Sequence, residues 1–242
     1  MRDYIQETQD RVAFIRETLA ASGARGIVYG NSGGKDSALV GILCKMACDN
    51  TVGIILPCGS QRNYGEDKAD GEALAAQFDI EGRVVDLTGV RDALTQALAP
   101  AAQLNPQALT NLAPRLRMTT LYAVAAAEDR LVAGTGNRSE AYLGYFTKWG
   151  DGAYDFNPIG DLTATEVLEF LRHLGAPRSI VEKAPSAGLF DGQTDEGEMG
   201  VTYRSVDQFL QTGRTAPEDE AIIRRMHRAS EHKRRMPTVY GK

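Results

Sequence analysis

The chain has 242 residues, 43% of them hydrophobic, and carries 27 Lys and Arg against 32 Asp and Glu, for a net charge of −5. That length suits one α/β domain with elaborations or two small ones, and the acidic balance argues against nucleic acid or an anionic membrane as partner. No apolar run reaches the length of a membrane span, and Cys44, Cys48 and Cys58 without a secretory leader read as reduced thiols of a cytoplasmic protein.

In chain order, the first 23 residues form an amphipathic helix with Val12, Ile15 and Leu19 on one side. "RGIVYG" at 25–30 reads as a buried strand and "KDSALVGILCKMACD" at 35–49 as a helix. Cys44 and Cys48 share a face of that helix, but with no histidine partner they read as core packing. "TVGIILPC" at 51–58 and "GRVVDLT" at 82–88 are further strands, each followed by a helical stretch, at 65–78 and 89–99. Residues 107–130 make one long helical run in which Pro114 predicts a kink or boundary. "RLVAGTG" at 130–136 is a fourth strand. Residues 137–161, rich in glycine and aromatics with little periodicity, read as a functional loop region. A helix over 163–175 opens with Thr163 and Glu166 at capping-box spacing. An acidic loop at 191–200 follows, then two helices and the basic tail "RRMHRASEHKRRM". Strands alternating with helices predict a parallel sheet covered on both faces. Nothing forces a second domain, so residues 1–242 are read as one, with a sheet core at 22–190 and C-terminal helices at 191–242.

The turn after the first strand, "YGNSGGKDSALV" at 29–40, is the most informative stretch. It fails the Walker pattern, because Tyr29 stands at the first glycine position and Asp36 at the hydroxyl position. It also fails the dinucleotide fingerprint, because Ser32 takes the second glycine position. What remains is strand, Ser-Gly-Gly-x-Asp-Ser, helix. Gly33 and Gly34 let the backbone approach a ligand, the helix adds N-terminal donors, Ser32 and Ser37 add hydroxyls, and Asp36 suits a bridging Mg²⁺. The alternative is a glycine-rich turn with Asp36 as a helix cap.

This turn resembles the pyrophosphate loop of the ATP-pyrophosphatase superfamily. "NLAPRLRM", "AGTGNRSEAYLGYFTKWGDGAYDFNPIGDLT", "KAPSAGL", "QTDEGEMG" and "EHKRRMP", in that order, resemble the NAD synthetase family in its ammonia-dependent form, from about Gly26 to Pro237. The resemblance implies a Rossmann-like doubly wound parallel sheet of the adenine-nucleotide alpha-hydrolase type. It implies amidation of deamido-NAD to NAD, with ATP as co-substrate, ammonia as nitrogen donor, an adenylated intermediate and a homodimer. Glutamine-dependent relatives carry an added nitrilase-like domain, for which the chain has no room. Gly30, Asn31, Ser32, Gly33, Gly34, Lys35, Asp36, Ser37, Thr135 and Ser186 are then expected at ATP, with Ser32, Asp36 and Ser37 serving the chemistry. Asp36 and Glu140 are expected at Mg²⁺, and Arg115, Lys148, Asp155, His232 and Lys233 at deamido-NAD. Duller readings stand beside these: Arg115 a solvated helix arginine, Lys148 a surface partner of Trp149, Glu140 a first-turn helix residue, His232 and Lys233 part of a solvated, frayed tail. The functional reading expects that tail to order on dinucleotide binding.

Two positions depart from the family. Ala164 stands where a lysine at ATP is usual, and Asn31 where an apolar residue is usual. Lys35 is a candidate substitute cation, although the reading favoured is that it points into solvent. Two other functions remain open: another adenylating amidase or thiolase of the superfamily, and a nucleotide-binding regulator without turnover.

Overall fold

The computed structural model describes residues 2–183 and 194–241. Its elements run α1 (Tyr4–Ser22), β1 (Gly26–Gly30), α2 (Lys35–Ala47), β2 (Thr51–Ile55), α3 (Gln61–Tyr64), α4 (Glu66–Gln77), β3 (Glu81–Val84) and α5 (Thr88–Leu98). They continue with α6 (Pro106–Thr110), α7 (Leu112–Glu128), β4 (Arg130–Ala133), α8 (Arg138–Leu143), α9 (Ala164–His173), α10 (Arg178–Val181), α11 (Asp195–Met199), α12 (Tyr203–Thr212), α13 (Pro217–Ala229) and α14 (Glu231–Arg234). Among the described residues no helix is long and apolar enough to cross a membrane, and all three cysteines are free thiols.

The four expected strands form one sheet in the order β3-β2-β1-β4. All pairs are parallel, with Val28 opposite Val52 on one side and Val132 on the other. A central parallel strand is covered on both faces, which is why β1 reads as continuously apolar rather than alternating. Ile27 and Tyr29 face a cluster with Ile15 of α1, Leu39 and Leu43 of α2 and Phe170 of α9. Val28, Val52, Ile54 and Val132 face the other way, against Ala113 and Ala125 of α7. A third cluster joins the C-terminal helices to α8 and α9 through Leu143, Ala164, Tyr203, Val206 and Ile223. The Tyr29 ring fills the space that Gly53 leaves open, where a Cβ would stand 2.9 Å from its hydroxyl. That hydroxyl is buried with no hydrogen-bond partner among the described residues.

Three expectations are corrected. The long helical run is two helices, α6 and α7, divided at Asn111, which ends one and begins the other. Pro114 falls in the first turn of α7, where its missing N–H has no intrahelical acceptor to lose. The loop region after β4 contains α8, started by a full capping box in which the Asn137 side chain accepts from Ser139 and Glu140 and the Glu140 carboxylate accepts from the Asn137 amide. The acidic stretch contains α11, whose first turn holds Asp195, Glu196 and Glu198, well placed against a helix N-terminus.

Candidate active site

The strand order reverses between β1 and β4, and their C-terminal ends diverge into the crevice that open parallel sheets use for ligands. A cavity of about 800 Å³ lies there, floored by Gly30, Ile54 and Val132 at the ends of three strands. That is within the range of small-molecule sites.

The turn from Asn31 to Ser37 forms one wall. Gly30, Asn31, Ser32, Gly34, Lys35, Asp36 and Ser37 all line the cavity. The serine hydroxyls are organised rather than loose: Ser32 Oγ lies 2.9 Å from Ser37 Oγ, which also donates to the Gly34 carbonyl at 3.0 Å. Gly33 is turned away from the cavity, at φ 69°, against the backbone of α4. A Cβ there would meet the Asp67 carbonyl group, its carbon at 2.9 Å. Asn31 is buried, and its side-chain amide donates to the Gly71 carbonyl of α4 at 2.9 Å. The loop therefore meets its neighbouring helix at two points, through the Asn31 side chain and the Gly33 backbone.

At the end of the loop, carboxylates converge. Asn137 donates its side-chain N–H to Asp36 at 3.0 Å, and its backbone N–H to Glu140 at 3.1 Å, so one residue fixes both. Burial, reinforced by the Asp36 carboxylate, pushes the Glu140 carboxyl up to about 8, with Lys35 acting in the opposite sense. Tyr203 lies 3.0 Å from Asp195 Oδ2 and 3.5 Å from Glu140 Oε1. The expectation that Lys35 points into solvent is overturned. It is 7% exposed, its ammonium is paired with Asp36, and it lies 5.2 Å from the centre of the Tyr203 ring. Burial works against its charge, and Asp36, Glu140 and Asp195 together hold it above its ordinary value. Ala164 packs in the same cluster as Tyr203.

Thr135, just beyond β4, lines the cavity, as does Lys233 of α14. Lys233 donates to the carbonyls of Gly144 at 2.8 Å and Phe146 at 2.7 Å, and burial pushes its ammonium down. The start of the tail is thus held against the loop after α8. Lys148 sits outside the lining, donating to the His232 carbonyl at 2.7 Å and resting 5.5 Å from the Trp149 ring centre. The exposed Arg115 and His232 also stay outside the lining. Asp155 does too: its carboxylate accepts from Val132 N at 2.7 Å and the Tyr122 hydroxyl at 3.1 Å. Ser186 lies outside the described residues.

The sequence reading missed two basic residues on the cavity wall. Arg117 donates to the Leu56 carbonyl and to Asn63 Oδ1, both at 3.0 Å, and fixes α7 to the end of β2. Lys183 donates to Asp67 and Asp70 of α4, both at 2.7 Å. Arg117 stands in the quoted "NLAPRLRM", two residues from Arg115, and helix spacing alone separates their faces.

Among the described residues, no group of three or more His, Cys, Asp or Glu is set to hold a metal unaided. The pair Asp36 and Glu140, hard oxygen donors bridged by Asn137, fits Mg²⁺, which is usually held by one or two carboxylates with phosphates and water completing its shell.

A parallel sheet with a Ser-Gly-Gly-x-Asp-Ser turn at its switch point defines an α/β protein of the PP-loop class. The chain belongs to the NAD synthase family, whose model matches residues 7–238. It is 48% identical over 237 residues to an NH(3)-dependent NAD(+) synthetase of Carboxydothermus hydrogenoformans, covering 97% of this chain and 96% of that one. Among solved structures it resembles an NMN synthetase from Francisella tularensis at TM-score 0.94 and 34% identity, over the full length of both chains. It also resembles an NH3-dependent NAD synthetase from Campylobacter jejuni at TM-score 0.80 and 30% identity, over 99% of this chain and all of that one.

Proposed function

We propose that the protein is a carbon–nitrogen ligase that amidates deamido-NAD to NAD with ammonia, consuming ATP and releasing AMP and pyrophosphate. The observation that carries this reading is the loop of residues 30–37 lining one cavity with Glu140, which Asn137 joins to the loop's own Asp36, in a chain of this family. A nicotinate carboxylate is a poor acyl donor until one of its oxygens becomes part of a good leaving group. Adenylation supplies that: the carboxylate oxygen attacks the α-phosphorus of ATP and pyrophosphate leaves. Ammonia then adds to the acyl carbon and AMP departs with the bonding pair, while the nitrogen loses a proton. No protein nucleophile is needed, and the work left to the chain is alignment and charge neutralisation.

The main-chain N–H groups of the loop and the start of α2 suit the departing pyrophosphate, with Ser32 and Ser37 pre-set by their mutual hydrogen bond. Asp36 and Glu140 would hold Mg²⁺, which neutralises phosphate charge when bound. Arg117 and Lys233 add positive charge to the lining, suited to the pyridine-carboxylate substrate and its phosphates. Arg115, Lys148, Asp155 and His232 lie outside the lining. Their assignment to deamido-NAD fits a homodimer in which a second copy completes the site. α5 supports such a face, because it buries none of its residues, and Val90 on it and Val84 at the end of β3 are 51% and 48% exposed. The reading places the protein in the cytoplasm, where its nucleotide substrates are.

The decisive experiment measures AMP and NAD from ATP, Mg²⁺, deamido-NAD and ammonium, with Asp36→Ala as control. Matched products, lost in the variant, are expected, and AMP without NAD would overturn the assignment of acceptor. A second reading takes nicotinate mononucleotide as acceptor, favoured by the full-length match to the NMN synthetase. The same assay with that mononucleotide distinguishes the two by their ratio of kcat/KM.

A further inference from the structure

The carboxylates beside the phosphate loop already have a cation. Asp36 comes from α2, Glu140 from α8 and Asp195 from α11, and Tyr203 joins the last two. Three carboxylates so placed repel one another unless positive charge is set among them. Three ammonium groups line the cavity, those of Lys35, Lys183 and Lys233. Lys183 is committed to Asp67 and Asp70, and Lys233 to two backbone carbonyls. Among the described residues, Lys35 is the lysine whose ammonium is set on this cluster, paired with Asp36 and backed by the face of Tyr203.

We propose that Lys35 is a place-holding cation, whose ammonium in the ligand-free protein stands where a divalent ion arrives with nucleotide, and which then turns to the nucleotide's phosphates. The inference rests on the reading of Asp36 and Glu140 as ligands of that ion. An ammonium and a divalent cation cannot share one pair of carboxylates at close range, so one must leave when the other enters. Lysine suits the exchange: it is a compact charge on a flexible four-carbon stem. Its Cα is fixed as the first residue of α2, directly after the Gly34 amide, so the stem stays rooted at the phosphate loop while its tip moves. The same tether explains why the side chain is buried at a position that sequence alone assigns to solvent. The consequence is an ordered uptake in which the ion is held weakly until phosphates give Lys35 somewhere else to go.

The test uses Mn²⁺ as a spin probe on the full-length, nucleotide-free protein, reading free Mn²⁺ by electron paramagnetic resonance. Lys35→Met is expected to tighten Mn²⁺ binding at least tenfold, Lys35→Arg to leave it weak, and Lys35→Met combined with Asp36→Asn to abolish the gain. Equal or weaker binding by Lys35→Met than by the wild type would overturn the proposal. Should Lys35→Met fail to fold alone, the proposal requires Mn²⁺ to restore its far-ultraviolet circular dichroism, and failure to do so also overturns it. No arm involves turnover, so an inactive wild type with the Mn²⁺ shift intact would refute the proposed reaction and leave this inference standing.

Discussion

Lys183→Met should weaken the phosphate loop although Lys183 touches none of its residues. The Lys183 side chain is 8% exposed, and its ammonium is 2.7 Å from carboxylates of Asp67 and Asp70 that are 12% and 9% exposed. At an effective dielectric of about 20, each contact is worth roughly 6 kcal/mol gross, most of it offset by the cost of taking the charges out of water. Removing the cation leaves the two carboxylates facing each other, with Asp67 retaining the Asn63 amide at 3.0 Å. The expected loss is about 3 kcal/mol, at the low end for a broken buried pair, or a fall in Tm of roughly 6–12 °C for a chain of this size. Because Asp67 and Gly71 of α4 are the backbone points against which Gly33 and Asn31 rest, affinity for a non-hydrolysable ATP analogue should fall with stability. Urea unfolding followed by circular dichroism gives the first quantity and titration calorimetry the second. A loss below about 1 kcal/mol would show that the pair is effectively solvated. A full loss of stability with unchanged nucleotide affinity would show that α4 does not brace the loop.

Tyr29→Phe removes a buried hydroxyl that has no partner among the described residues. It should raise stability by about 1 kcal/mol in the same urea assay, against the usual cost of altering a core residue. Asn137→Ala should cost about 2 kcal/mol, through the lost cap of α8 and the freed Asp36; it should also weaken Mn²⁺ binding in the presence of the ATP analogue, while melts at saturating analogue and ion recover part of the loss. Glu140 gives a pH prediction with a definite sign. Its carboxyl is held at about 8 in the folded chain, above its unfolded value, so the folded state binds the extra proton between about pH 4.5 and 8. Stability of the ion-free protein should therefore fall as pH rises through that window, and Glu140→Gln should flatten the profile measured by thermal melts.

The strands and the loop were legible because their signals are local. Four apolar runs bounded by glycine and polar turns stand within a few residues of the strands found, and Thr163 with Glu166 forms the capping box that their spacing predicts. The misses are of two kinds. α8 and α11 have only six and five residues, too short to show a helical period. The Asn137–Glu140 spacing was a readable start signal for α8 all the same, the same device as at Thr163. Lys35 is different. Nothing near it in the sequence says that Glu140 and Asp195 fold back onto its ammonium, so a lysine at a helix start was assigned to water. Arg117 shows the same limit at smaller scale: family resemblance drew attention to Arg115, while the facing of α7 turns Arg117 to the cavity and Arg115 outward.

Lys233 has a consequence for the life history of the polypeptide. The cavity begins at Gly30 and acquires its last described lining residue at Lys233, near the opposite end of the chain. A nascent chain can pair its sheet and shape its phosphate loop long before Lys233 is made, yet one side of the cavity stays open until α14 docks on Gly144 and Phe146. Proteolytic clipping before Lys233 would return a matured molecule to that unfinished condition. Docking of α14 thus closes one side of the cavity, and the positions after it, with Met236 and Tyr240 at 85% and 92% exposure, are where an added affinity tag disturbs least.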